Sequence, residues 1–250
     1  MSRRSRTAAW AVILGAIAWS AFATEVSVGR VIEGLPFMWD FLRRMVPPDL
    51  SVLGNALRGA IQTIQIAVIG TAVAAVLALP LGFAAARNAA PSWLFYGARG
   101  LLNAFRAVDT LVYALFFVAA VGLGPFPGVL AVVVYTTTVL AKLYSEAIEA
   151  IEPGPVEAVR ATGATALQVL RWGVLPQLVP QFLSFTLYRF ETNIRAAAIL
   201  GFVGAGGIGF YIQTYLRLLN YPAAATVLLV LIGLVMIVDF ASSRLRARLV

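Results

Sequence analysis

Alternating apolar and polar segments place the strongest limit on what this chain can fold into. The apolar runs cover residues 7–24, 56–86, 107–121, 129–144, 177–200 and 222–240. A helix of about 20 apolar residues is long enough to cross a hydrocarbon core of about 30 Å. The sequence therefore predicts an all-α integral membrane fold with about six transmembrane helices.

Composition supports this prediction and restricts the chemistry of the chain. The 250 residues are 61% hydrophobic and 12% charged, with a mean hydropathy of +0.89, whereas soluble domains are about 45–50% apolar and about 25% charged. The chain contains no Cys and no His. These absences exclude thiol chemistry, disulfides, Ser-His-Asp units and most zinc sites, so we expect no catalytic residues and no metal site.

The first 55 residues are expected to form a region distinct from residues 56–250. A basic tip at residues 2–6 precedes the first apolar run, which is longer than the roughly 7–15 apolar residues of a signal peptide. We therefore favour a retained transmembrane helix over a cleaved signal. Residues 36–45 then alternate apolar and polar positions at helical spacing, which predicts an amphipathic helix on the external membrane surface.

The basic residues indicate an orientation. The net charge is +8, which in a membrane protein reflects topology rather than nucleic-acid binding. With the N-terminus inside, six spans place most of the 19 Lys and Arg in cytoplasmic segments: Arg3, Arg4, Arg6, Arg87, Arg99, Arg106, Lys142, Arg160, Arg171, Arg244, Arg246 and Arg248. The positive-inside rule then predicts that both termini, and the polar segment 145–176, are cytoplasmic.

Residues 157–176 of that polar segment are typical of a surface helix. Glu157 follows the breaker Pro153-Gly154-Pro155 and is expected in the first helical turn, where the helix dipole favours a carboxylate. Gly inside a helix costs about 1 kcal/mol relative to Ala. Gly163 therefore indicates either a break between two short helices or a docking contact, and composition does not separate the two.

These residues also carry a resemblance to a known family. Glu157-Ala158, Gly163 and Leu175-Pro176 have the spacing of the EAA loop of ABC importer permeases, while Val159 and Gly173 depart from its pattern. The resemblance implies a type I ABC importer permease fold whose cytoplasmic coupling helix fits the ATP-hydrolysing subunit. It assigns that coupling to Glu157, Ala158, Arg160, Gly163, Leu175 and Pro176.

Three further stretches resemble the phosphonate branch of this family. They are Ala-Ala-Arg-Asn at 85–88, Phe-Glu-Thr-Asn-Ile-Arg at 190–195 and the glycine-rich segment at 200–209, the last of which methionine importer permeases share. The resemblance implies ATP-driven import of phosphonate or a related phosphorus oxyanion. Phosphate, phosphite and methionine are alternative substrates, and a channel or a membrane-embedded enzyme are the rival functions.

The resemblance also implies an assembly in the bacterial cytoplasmic (inner) membrane. Its parts are a second copy of the permease, two ATP-binding subunits and an extracytoplasmic substrate-binding protein. The chain contains no Gly-x-x-x-x-Gly-Lys-Ser/Thr sequence, so we expect ATP and Mg to bind to the partner ATPase and this chain to hold no cofactor.

The glycine-rich segment contains a misleading match. Gly204-x-Gly206-x-x-Gly209 fits the dinucleotide fingerprint, but that motif requires a preceding strand in a βαβ unit. A helix break or close backbone packing is the favoured interpretation. The alternative is a transport-pathway element whose N–H groups meet an anion, which makes Gly204, Gly206 and Gly207 candidate pathway residues.

Charged residues within the fifth apolar run are the other pathway candidates. Glu191 and Arg195 are spaced i, i+4 in the order that favours an ion pair, and at 1.5 Å per residue Glu191 lies about 20 Å beyond Gln177, in the outer half of the bilayer. One interpretation is a structural pair. The other is an anion pathway lined by Arg189, Glu191, Asn193 and Arg195, because Arg suits phosphoryl oxygens. Asp109 is a further possible partner, expected near the cytoplasmic boundary.

Overall fold

The computed structural model describes residues 3–247 and contains, within them, helices but no strand. The eleven α-helices of this part are α1 Arg3–Ala23, α2 Val28–Arg44, α3 Leu53–Ala84, α4 Ser92–Arg106, α5 Thr110–Val121, α6 Pro125–Glu149, α7 Pro153–Ala161, α8 Ala166–Val169, α9 Leu175–Leu200, α10 Ile208–Arg217 and α11 Tyr221–Arg246. The predicted all-α fold is confirmed.

The chain divides into two compact units, Met1–Val46 and Pro47–Val250. The first unit holds α1 and α2; α2 begins at the N-cap Ser27 and ends on Arg43 and Arg44. Its predicted amphipathic portion at 36–45 lies on α2.

The second unit begins earlier than the boundary at residue 55 that the sequence suggests. Asp49 N donates a hydrogen bond to Pro222 O at 3.1 Å, and Thr226 Oγ1 donates to Asp49 O at 2.7 Å. These bonds attach the segment before α3 to the first turns of α11.

Four helices of the described chain are long and apolar enough to cross a membrane: α3, α6, α9 and α11. A fifth span is formed if α4 and α5, which are bent by 80° relative to one another, are counted together, and α1 contributes the shorter apolar stretch Val12–Ala23. This number fits the prediction of about six.

The segment 87–106, between the second and third apolar runs, is mostly the helix α4. This helix is amphipathic: Ala98 and Leu102 are buried, while Arg106 is exposed in its last turn. Its arginines interrupt the apolar run, although its apolar positions follow helical spacing.

Helices α3, α6 and α9 form the centre of the second unit and approach one another closely through small residues. A Cβ atom on Gly70 would lie 2.5 Å from Val132 Cγ1, and one on Gly82 would lie 2.8 Å from Tyr144 Cβ. Ala67, along with other alanines of α3, is fully buried. Small residues are the usual means by which membrane helices bring their backbones together.

Candidate functional site

The predicted coupling segment is a helix, a turn and a second helical stretch. Helix α7 begins with Pro153 at its first position and has Glu152 as N-cap, so Glu157 lies in the second turn. Its predicted place in the first turn is wrong. Pro lacks only an N–H that would be unpaired in the first turn anyway, so Pro153-Gly154-Pro155 starts the helix instead of preceding it.

Gly163 forms the break between α7 and α8. Its φ is +78°, and a Cβ atom added to it would meet nothing within 4 Å. Glycine is therefore required there by the left-handed backbone and not by a close neighbour. Of the two interpretations of Gly163, the structure supports the helix break; the docking contact remains a prediction.

The segment presents an open surface. Glu157, Ala158 and Arg160 are exposed, and a shallow groove of about 650 Å³ is lined by Ala158, Val159, Thr162, Gly163, Ala164, Gln168 and Trp172. The Trp172 side chain is 64% exposed. An exposed aromatic beside a glycine turn is typical of a surface that a partner covers.

Gln177 joins the two ends of this segment. Its Oε1 accepts a hydrogen bond from Glu152 N at 3.0 Å. Its Nε2 donates to Glu152 O at 3.3 Å and to Gly173 O at 2.8 Å. The start of α7 is thereby held against the first turn of α9, where Leu175 and Pro176 lie exposed.

Gly173, a departure from the family pattern, has a packing role. It lies in the π-helical turn Leu170–Val174 and is buried, and a Cβ atom on it would come 3.1 Å from Val156 Cα. The absent side chain lets this turn lie directly on α7.

Arg99, in the middle of α4, binds Glu149, the last residue of α6, close to this segment. Arg99 Nη2 donates to both carboxylate oxygens of Glu149 at 2.9 Å, and Arg87 N donates to Glu149 Oε1 at 2.7 Å. Asn88 Nδ2 donates to Ile148 O at 2.8 Å. Sequence reasoning did not find this network, although Arg87 and Asn88 belong to the stretch that resembles the phosphonate branch.

Asn193 is the centre of a buried polar cluster in the middle of the helix bundle. Its Oδ1 accepts from Thr136 Oγ1 at 3.0 Å and from Arg189 Nη2 at 3.3 Å, and its Nδ2 donates to Thr71 Oγ1 at 2.8 Å. Only 2% of Asn193 is exposed. The cluster thus links α3, α6 and α9, and it unites two of the predicted pathway residues, Arg189 and Asn193.

The predicted ion pair between Glu191 and Arg195 is wrong. Arg246 donates to Glu191 instead, and Arg195 pairs with Asp239 at 3.3 Å. Both partners lie on α11, which packs against α9. An i, i+4 pair contributes only about 0.2–0.5 kcal/mol, so contacts with a neighbouring helix readily replace it.

The contacts of Glu191 place it within the helix bundle, and its depth in the bilayer stays a prediction. Glu191 contacts the last turn of α11 through Arg246, and nearby Asn193 contacts Thr71, close to the midpoint of α3. Helix α3 has 32 residues, about 48 Å at 1.5 Å per residue, and so exceeds a hydrocarbon core of about 30 Å.

The glycine-rich segment packs backbones together. Gly204, Gly206 and Gly207 all have positive φ, and a Cβ atom on Gly209 would lie 1.8 Å from Ala198 O. The N–H groups of Gly207 and Ile208 donate to Gln62 Oε1 at 2.7 Å and Thr63 Oγ1 at 2.8 Å. These two amides are already satisfied, which favours the packing interpretation over anion binding by exposed N–H groups.

Comparison with known proteins agrees with these features. Residues 78–250 match the family described as binding-protein-dependent transport system inner membrane component. The putative phosphite transport system permease protein HtxC of Stutzerimonas stutzeri is 41% identical over 250 residues, covering 98% of this chain and 88% of that protein. The phosphite transport system permease protein PtxC of the same species is 45% identical over 217 residues, covering 86% and 79%.

The fold agrees with a solved structure. An inward-facing structure of the MetNI methionine ABC transporter matches with a TM-score of 0.69 at 23% identity, covering 81% of this chain and 99% of that chain. The predicted type I importer fold is confirmed. The chain belongs to the binding-protein-dependent inner membrane components of transport systems, and it is a multi-pass permease subunit of an ABC importer whose ATP is hydrolysed by a separate subunit.

Proposed function

We propose that this chain is the permease of an importer for a phosphorus oxyanion, with phosphonate and phosphite as the first candidates. The observation that carries the proposal is the identity of 41–45% with two phosphite permeases over 98% and 86% of the chain. The buried guanidinium of Arg189 supports it, because Arg donates parallel hydrogen bonds that suit phosphoryl oxygens.

The proposed assembly follows from the exposed surface of the coupling segment. Residues Pro153–Ala161, Gly163 and Trp172 form the docking face for the ATPase subunit, and a second copy of the permease completes a homodimer with two ATPases. A binding protein delivers the anion at the opposite end. ATP-driven closure of the ATPases moves the coupling segment, and the spans alternate access.

Substrate titration tests the substrate class. The permease is co-purified with its ATPase and binding protein, and the binding protein is titrated with phosphite, 2-aminoethylphosphonate, phosphate and methionine. We expect tight binding of a phosphorus oxyanion and stimulation of ATP hydrolysis by the loaded protein. Tight methionine binding with no response to the anions would overturn the proposal.

Substitution in the coupling segment tests the docking face. Glu157→Lys and Gly163→Leu should abolish uptake and weaken association with the ATPase while membrane insertion is retained. Glu33→Lys is the matched control, because Glu33 is an exposed glutamate of α2 in the other compact unit. Normal ATP-coupled uptake by Glu157→Lys would count against the docking face.

Single-cysteine labelling tests the orientation, since the chain has no native cysteine. With both termini inside, Ala158→Cys in the coupling segment should react with a membrane-impermeant maleimide only after permeabilisation. Leu218→Cys, at a side chain that is 70% exposed after α10, should react in intact cells. The reverse pattern would invert the proposed topology. Co-purification of two differently tagged copies tests the homodimer.

A methionine importer is the second candidate function. The match to a methionine transporter over 99% of that chain favours it, but at 23% identity this similarity concerns the fold. The same titration therefore decides between the two candidates.

A further inference from the structure

We propose that Arg189 and the pocket it lines form an oxyanion-binding site inside the permease, which the imported anion occupies during transport. This inference rests on the proposed function and extends it to a particular residue. The pocket of about 220 Å³ lies between three helices, and its walls are Asp109, Thr110, Leu111, Tyr135, Arg189, Thr192, Ala196, Ile199 and Leu200.

Arg189 has more hydrogen-bond donors than partners. Its exposure is 7%, and within residues 3–247 its one hydrogen bond goes from Nη2 to Asn193 Oδ1 at 3.3 Å. Its Nε is buried without a partner, and no described carboxylate lies within ion-pair distance. A buried charge without a counterion is costly, so an anion in the pocket supplies the missing interaction.

Neighbouring groups hold the guanidinium in place. Its Cζ lies 5.5 Å from the centroid of the Tyr135 ring, within the range of a cation–π contact. Asn193, to which Arg189 donates, is itself bonded to Thr136 and Thr71. The side chain is therefore anchored on one side. Because Nε is buried, the Nη1 and Nη2 edge is the part of the guanidinium that is left to a ligand accepting two bonds.

The broken span adds a second favourable element. Helix α5 begins at Thr110, directly after the 80° bend, and its first residues Thr110 and Leu111 line the same pocket. The N-terminal end of a half-helix inside a transporter carries partial positive charge. Arg189 from α9 and the start of α5 thus contribute positive potential to one small space.

Asp109 selects among anions. Asp109 is one of the residues that line the pocket, and its Oδ1 accepts the Leu111 N–H at 2.9 Å as the N-cap of α5. A carboxylate at the edge of the pocket disfavours a doubly charged ligand and favours one with a donor group. The ligand class is therefore a small phosphorus oxyanion that carries one net charge, through a P–OH group or an amine.

The test uses the complete transporter, with its ATPase and binding protein, in proteoliposomes. ATP-driven uptake of phosphite and methylphosphonate is measured for wild type, Arg189→Gln, Arg189→Lys and the control Arg43→Gln. Arg43 is an exposed arginine of α2, whose neighbour Arg44 is the residue that pairs with Asp40. We expect Arg189→Gln to lose at least about tenfold in uptake, since a charge-assisted contact is removed. Stimulation of ATP hydrolysis by the loaded binding protein should stay within about twofold of wild type, and Arg189→Lys should show an intermediate loss.

The outcomes separate this inference from the proposed function. If uptake by Arg189→Gln equals that of wild type, the proposed anion site at Arg189 is wrong, while the proposed substrate class is unaffected. If Arg189→Gln does not assemble, Arg189→Lys is the variant that tests the proposal. An unchanged KM of Arg189→Lys for both anions would show that the guanidinium does not contact them. If the wild-type transporter carries methionine and no phosphorus oxyanion, the proposed substrate class fails instead.

Discussion

Arg99 binds Glu149 through a single nitrogen, Nη2, which lies 2.9 Å from each carboxylate oxygen. The pair joins α4 to the last residue of α6, directly before the coupling segment. Arg99 Nε also donates to Ala85 O at 3.1 Å, so the middle of α4 is tied to the ends of α3 and α6. Both side chains are less than one-third exposed, and we infer that the pair transmits motion from the coupling segment to the spans.

Breaking this pair should weaken coupling. We expect Glu149→Gln to lose about 1.5–3 kcal/mol of local stability, typical of a hydrogen bond to a charged group, and to hydrolyse ATP with reduced uptake per ATP. The double variant with Arg99→Gln should lose less than the sum of the two single losses, because both variants remove the same contact between Arg99 and Glu149. Thermal unfolding and the uptake-to-hydrolysis ratio are the measurements. Additive losses would contradict a shared interaction.

Removing the Gln177 bridge should loosen the base of the coupling segment. Gln177→Leu loses the bonds to Glu152 N, Glu152 O and Gly173 O, and we expect faster hydrogen exchange of residues 152–162 with lower uptake per ATP. Gln181→Leu is the matched control, because Gln181 is an exposed glutamine of the same helix. Equal exchange in the two variants would show that the bridge does not rigidify the segment.

Gly163 provides a test of backbone conformation alone. Gly163→Ala places a Cβ on a residue with φ of +78° where no atom lies within 4 Å, so its cost is the left-handed backbone, about 1–2 kcal/mol. Gly163→Asn should cost less, since Asn tolerates this region. Gly154→Ala also meets nothing within 4 Å and lacks the positive φ; it should be neutral in thermal unfolding. An equally large loss of thermal stability in Gly154→Ala would contradict this explanation.

Gly209 should tolerate no side chain. A Cβ atom there would lie 1.8 Å from Ala198 O, and that oxygen belongs to the backbone of α9, which has no freedom to swing aside. We expect Gly209→Ala to be expressed poorly or to elute as aggregate on size-exclusion chromatography. Gly233→Ala in α11 meets nothing within 4 Å and should elute like wild type. A monodisperse, active Gly209→Ala protein would show that α9 and α10 separate more easily than their packing suggests.

Asp109→Asn should change anion selectivity without unfolding α5. Asn is as good an N-cap as Asp, so the bond to Leu111 N is kept while the negative charge in the Arg189 pocket is removed. We expect uptake of methylphosphonate, measured at a pH above its second pKa where it is a dianion, to rise relative to that of its monoanionic monomethyl ester. The uptake ratio at one pH is the measurement, and an unchanged ratio would place Asp109 outside the anion path.

Patterns local in the sequence led to the family and the helical class. The spacing of Glu157, Gly163 and Leu175-Pro176 gave the importer resemblance, and the family match over residues 78–250 agrees with it. The apolar runs located α3, α6, α9 and α11, because hydrophobic length is a property of a single segment. The helical nature of α4 was missed, since its arginines occupy one face and interrupt the apolar run.

Contacts between helices required the tertiary structure. Glu191 pairs with Arg246 of α11, and Arg195 pairs with Asp239 of the same helix. Asn193 is hydrogen-bonded to Thr71 and Thr136, which lie on two other helices. The sequence by itself determined that the chain crosses a membrane, and it predicted a coupling segment, because both follow from residue type and spacing along one helix. The ion pairs between helices, and the absence of a described carboxylate within ion-pair distance of Arg189, were decided only by the rotation and register of neighbouring helices. Small residues bring those helices close enough for distant polar groups to meet.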